Sequence, residues 1–147
     1  MVWSHRAMNN IPPDIYERVH ELALALTNAT EADDSALYDS LYQTLLDFYH
    51  DQTRQGRVHP FLTEALADYT DDAAISAQYY ELALKQSGMF PGEPTHTKMI
   101  SLAERLIELG QIERAEACLR DGRAEAVRRG DSYWIEDASR LLAQCAA

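Results

Sequence analysis

At 147 residues, 46% of them hydrophobic and 25% charged, the chain has the length and composition of one globular domain, one long enough to bury about 68–70% of its unfolded surface. Thirteen Lys/Arg against 24 Asp/Glu give a formal net charge of −11, which works against nucleic acid and anionic membranes and favours a basic protein as partner. No apolar run approaches the ~18 residues of a membrane span, and the opening MVWSHRAMNN lacks the layout of a signal peptide, so a cytoplasmic location is the expectation.

The charge is uneven. Residues 1–97 hold 5 Lys/Arg and 15 Asp/Glu, whereas residues 98–147 hold 8 and 9. Residues 1–11 show no periodicity and read as a flexible arm. Pro12-Pro13-Asp14 then opens a helix, because proline suits a first turn and an acid suits its dipole. Ile15, Val19, Leu22, Ala23 and Leu26 give that helix a buried face up to about Asn28. Asp33, Asp34 and Ser35 supply capping oxygens for a longer helix over 32–55. Leu37, Leu41, Leu45 and Phe48 form one stripe on it; Tyr38, Tyr42 and Tyr49 line the next, and Gly56 closes it. The tyrosines read either as the edge of the core or as a partner surface at Tyr42 and Tyr49, since tyrosine is favoured in interfaces.

His59-Pro60 begins a short helix to Tyr69, with Phe61, Ala65, Leu66 and Tyr69 inward. Thr70-Asp71-Asp72 caps the next, whose inward residues read as Ile75, Tyr79, Leu82 and Ala83 up to Ser87. The stretch SGMFPGEPT is a linker. Beyond it, Met99, Leu102, Ala103 and Leu106 recur at i, i+3, i+4 and i+7, the spacing of a buried helical stripe. Ile100 and Ile107 add a second stripe, which leaves Thr97, Ser101, Glu104, Arg105 and Glu108 as a narrow polar line. Gly110 sits where a helix end needs positive φ. Ile112, Ala115, Leu119, Gly122 and Ala126 form another stripe. A mid-helix glycine costs about 1 kcal/mol relative to alanine, so Gly122 predicts a close helix crossing, with the helix of Ala103. Gly130 ends that helix. Asp131-Ser132 caps a last one through Trp134, Ala138, Leu141 and Leu142, with Glu136, Asp137 and Arg140 outward.

The pattern therefore predicts an all-α fold. Seven helices make a short solenoid of antiparallel pairs over about 12–56, 59–88 and 95–129, with a capping helix over 131–145. No strand pattern is present. The five histidines share no helix face at four-residue spacing, and none sits in HExxH, so neither a metal nor a cofactor is expected. No nucleophile elbow or phosphate-cradling loop occurs either. Cys118 and Cys145 lack any CxxC spacing; Cys118 reads as a small buried thiol.

Residues 96–129 resemble a tetratricopeptide repeat, a helix–turn–helix unit of about 34 residues. Leu102-Ala103 in the first helix, Gly110 at the turn, Ile112 and Ala115 opening the second helix, then Leu119 and Gly122 carry the resemblance. It implies that the first helix of each pair lines a concave groove holding a protein segment. Ser101, Glu104, Arg105 and Glu108 would face that groove, with Glu64, Asp68 and Glu136 as companions. The expected function is a non-catalytic binding module, an acidic immunity-type inhibitor or a chaperone, taking a basic or mixed protein segment. The alternative is a structural or regulatory homodimer built on the tyrosines; an enzyme is not expected.

Overall fold

The computed structural model describes residues 11–147; seven helices account for 80% of the described residues, and no strand occurs among them. They are α1 (Pro13–Glu31), α2 (Ser35–Arg54), α3 (Pro60–Tyr69), α4 (Ala73–Ser87), α5 (His96–Glu108), α6 (Ile112–Arg129) and α7 (Ser132–Ala146). The expected arm over 1–11 lies outside the described residues except for Ile11, which is buried against α1 in the core.

Each start and stop has a local cause. Pro13 occupies the first position of α1. The Asp34 carboxylate accepts from the Leu37 amide at 3.0 Å, and Asp72 does the same for Ile75 at 2.9 Å, so two of the expected caps are aspartates. At α3 the cap is His59, whose Nδ1 accepts from the Phe61 amide at 3.0 Å. Gly110 and Gly130 take φ of +76° and +66° at the ends of α5 and α6, a region closed to most side chains.

Consecutive helices are antiparallel and stack as α1–α2, α3–α4 and α5–α6, with α7 closing against α5 and α6. This is a short solenoid. All within-pair turns therefore share one edge, and all between-pair turns share the opposite edge. Side chains tie each edge together. On the first, the Tyr38 hydroxyl of α2 donates to the Tyr69 carbonyl at 2.6 Å, and Arg105 of α5 donates to the Thr70 carbonyl at 2.9 Å. On the second, the rings of His59 and Phe90 lie 4.4 Å apart, and Arg57 holds Asp14 through two bonds of 2.7 and 2.8 Å.

Two apolar clusters fill the stack. One joins Ile11, Ile15, Val19, Leu22 and Leu26 to Leu45, Tyr49, Phe61, Leu62 and Leu66. The other joins Ala67, Ala77, Tyr80, Ile100, Leu102, Leu106, Leu119 and Leu141, and Tyr79 packs against both. The inward face of α4 differs from the expectation. Ile75 and Leu82 are exposed, while Ser76, Ala77, Tyr80, Ala83 and Gln86 are buried. Helix α3 is buried on every side over Pro60–Ala67, so α4 must meet it through the slim Ser76–Ala77–Ala83 face. Gly122 does mark a close crossing with α5, but one turn earlier than Ala103. A Cβ there would sit 2.8 Å from Ile100 Cγ1 and 3.2 Å from Met99 Cβ.

Candidate binding surface

The residues expected to bind separate into those the fold consumes and those it leaves open. Glu64 is a correction. Instead of lining a solvated groove it is buried between α3 and α5, where it accepts from Thr97 Oγ1 at 2.7 Å and stands 3.4 Å from Lys98 Nζ. Lys98 is wholly buried; it also meets Glu93 at 3.2 Å and the Pro94 carbonyl at 2.6 Å. The linker after α4 is thus folded down over this charge cluster. Asp68, next along, accepts from the Tyr80 hydroxyl. Ser101 is half-buried against the same tyrosine.

Arg105 likewise faces inward. Its Nε donates to Ser76 Oγ at 3.0 Å and its Nη2 to the Thr70 carbonyl at 2.9 Å. A helix ends with orphan carbonyls and a partial negative charge. At the C-terminus of α3 these carbonyls are met from three neighbours: Tyr38 from α2, Ser76 (on the Ala67 carbonyl at 2.8 Å) from α4, and Arg105 from α5.

The tyrosine stripe belongs to the same device. Tyr42 shares a 2.6 Å hydrogen bond with Thr70 Oγ1. Tyr49 is almost wholly buried, edge-on to Tyr79 with centroids 5.9 Å apart. Burial and the nearby Asp71 charge push the Tyr38 hydroxyl up to about 12. These tyrosines are the edge of the core, with the hydroxyls of Tyr38 and Tyr42 directed at a helix end and Tyr49 packed within the cluster.

What remains open is acidic. The Glu104 side chain is 55% exposed and reaches Arg140 of α7 at 3.7 Å. Glu108 is 49% exposed and pairs with Arg105 at 3.1 Å; Glu136 of α7 is exposed nearby on the helix that packs on α5. Arg140 is shared with Asp137 at 2.7 Å.

A second polar centre was missed from the sequence. His96, at the start of α5, is buried between two carboxylates: Nδ1 lies 3.1 Å from Glu125 Oε2 and Nε2 lies 2.9 Å from Asp131 Oδ2. Both partners are acceptors, so only an imidazolium could donate to both. Glu125 also caps α5 from outside, accepting the amides of Thr95 at 2.9 Å and His96 at 2.8 Å. Burial alone would raise its carboxyl, but the bonds from the Thr95 hydroxyl, the two amides and His96 outweigh it and hold it at about 2. Lys98 had a signal, since it shares i, i+4, i+8 spacing with the buried Leu102 and Leu106. For Glu125 the adjacent Ala126 stripe was the only hint.

Among the described residues no three His, Cys, Asp or Glu side chains are grouped to hold a metal ion. No described helix is long and apolar enough to cross a membrane. A shallow hollow of about 420 Å³ between α6 and α7 is lined by Arg120, Arg123, Ala124, Ser139 and Leu142, with Arg123 donating to Ser139 at 2.8 Å across it. No protein-family model matches the chain, and neither a curated protein nor a solved structure matches it.

Proposed function

We propose that the chain is a non-catalytic, tetratricopeptide-like protein-binding module, an acidic inhibitor of the immunity kind or a chaperone, that takes a basic or mixed segment of another protein. The observation that carries this reading is the open acidic face of α5 and α7, where Glu104, Glu108 and Glu136 stand exposed on neighbouring helices of a chain with a formal charge of −11. Such a face attracts a cationic protein over long range and repels nucleic acid and anionic membranes. A cytoplasmic place of action belongs to the same reading. The homodimer alternative draws no support from tyrosines whose hydroxyls and rings are engaged within the chain.

The test is co-purification from the native host followed by charge reversal. Glu104→Lys with Glu136→Lys should release the co-purifying protein at physiological salt with the melting temperature nearly unchanged, because exposed acids contribute little to the fold. Retention of a basic partner by the doubly reversed protein would remove this face from the account.

A further inference from the structure

The within-pair turns carry a repeat that the helix faces do not explain. Asp33-Asp34-Ser35-Ala36-Leu37 between α1 and α2 is matched by Asp71-Asp72-Ala73-Ala74-Ile75 between α3 and α4. In both, the second aspartate caps the helix by accepting the amide three residues on. A capping box would place Glu or Gln at that third helical position. Here it is aliphatic, and it points away from either core: Leu37 is 46% and Ile75 47% exposed. The third turn, between α5 and α6, adds Leu109 at 39%. Single exposed aliphatics are ordinary; the same position exposed twice in a repeated motif, on one edge, is a pattern.

Carboxylates outnumber cations around them, and the exposed Arg114 at the third turn is engaged with Gln111 at 2.7 Å and Glu81 at 2.9 Å. No lysine or arginine occurs over residues 19–53 or 58–84. Around Leu37, Ile75 and Leu109 stand the carboxylates of Glu31, Asp33, Asp34, Asp71, Asp72, Glu108 and Glu113, all exposed. The guanidinium of Arg105 comes close but is bound to the Thr70 carbonyl and Ser76. The opposite edge holds Arg54, Arg57, Lys85, Arg128 and Arg129. Three of those arginines are paired there with carboxylates, Arg54 with Asp51, Arg57 with Asp14 and Arg129 with Glu125. The molecule is therefore strongly negative at one edge and mixed at the other, and the field would orient a cationic partner toward the acidic one.

We propose that this edge is the docking surface for an amphipathic, Lys/Arg-rich helical segment of the partner, with Leu37, Ile75 and Leu109 under its apolar side and the carboxylates against its charges. The inference rests on the protein-binding reading and extends its surface, since Glu108 belongs both to the open face of α5 and to this edge. The dimensions suit a helix. Ile75 and Leu109 belong to α4 and to the end of α5, which pack directly on each other on the order of 10 Å apart. Residues seven apart on a helix are separated by about 10.5 Å, so one apolar face can touch both, and a longer segment continues toward Leu37 on α2. A second copy of this chain fits poorly, because a two-fold contact would set the same carboxylates against themselves.

A defined probe tests this. An 18-residue peptide of leucine and lysine with its leucines on one helical face is compared, by fluorescence anisotropy, with an isomer whose leucines are scattered. The amphipathic peptide should bind about tenfold more tightly than its isomer, and Leu37→Ser with Ile75→Ser should erase that preference. Leu24→Ser with Val127→Ser, exposed aliphatics elsewhere, should leave it intact, and both variants should melt as the parent does. If the edge variant keeps the preference while Glu104→Lys with Glu136→Lys weakens binding, the edge is wrong and the binding function stands. If neither peptide binds, or none of the variants matters, both fail. Self-association in sedimentation that Leu37→Ser with Ile75→Ser abolishes would make a second copy the occupant and overturn the proposal.

Discussion

Gly122→Ala is the sharpest test of how α5 and α6 meet. Two effects of opposite sign act at this position. Alanine should stabilise the middle of a helix by about 1 kcal/mol over glycine. Against that, the new methyl would arrive 2.8 Å from Ile100 Cγ1, 3.2 Å from Met99 Cβ and 3.5 Å from the His96 carbonyl. Ile100 is fully buried and β-branched, so its rotamer has little room to change. Met99 Cβ is fixed to the backbone. Overpacking of this kind costs about 1–3 kcal/mol, and the crowding on two sides favours the upper end. The net expectation is a loss of about 1–2 kcal/mol, a fall of several degrees in melting temperature by calorimetry. Ile100→Ala removes the clashing atom, so combining it with Gly122→Ala should be less harmful than the sum of the single changes. A rise in melting temperature for Gly122→Ala alone would show that the helices separate freely there, and would refute the close crossing.

Three further outcomes follow from the polar interior. Arg105→Ala should cost about 2–3 kcal/mol in chemical denaturation, since it strips a charged donor from the end of α3, whereas Glu108→Ala should change stability by less than about 0.5 kcal/mol; equal effects would return Arg105 to the surface. Lys98→Met leaves Glu64 and Glu93 buried without their cation and should cost about 3–5 kcal/mol, with Lys98→Met/Glu64→Gln/Glu93→Gln recovering part of it; a neutral Lys98→Met would mean that water reaches the cluster. The Glu125 carboxyl is lowered from an ordinary 4.5 to about 2. Its contribution is therefore fully present above about pH 4.5 and is lost as the pH falls toward 2, so Glu125→Gln should flatten the acid limb of a stability–pH curve, and an unchanged limb would contradict the cap on α5.

Much of this architecture was legible because apolar spacing and turn chemistry agree. Asp34, Asp72, Gly110 and Gly130 punctuate the helices where the stripes stop. The buried face of α1 and most of that of α6 read correctly from their periodicity, whereas α5 also buries His96, Thr97 and Lys98 in its first turn. Helix α4 failed because a slim Ser/Ala face was needed to approach the fully buried α3, and that demand comes from the neighbour. The site was less legible for a related reason. Polar residues on a helix face look alike in sequence whether water or another helix lies opposite. Glu104, Glu108 and Glu136 face solvent, whereas Glu64, Asp68 and Arg105 have partners 12 to 35 positions distant, in Thr97, Tyr80, Ser76 and Thr70.

The claim that an acidic surface captures a cationic protein segment is tested most directly by association kinetics of the co-purified partner at rising salt. Electrostatic steering is screened over about 10 Å at 0.1 M ionic strength. The association rate should fall steeply between low and physiological salt while the dissociation rate changes little. An association rate indifferent to salt would contradict the account.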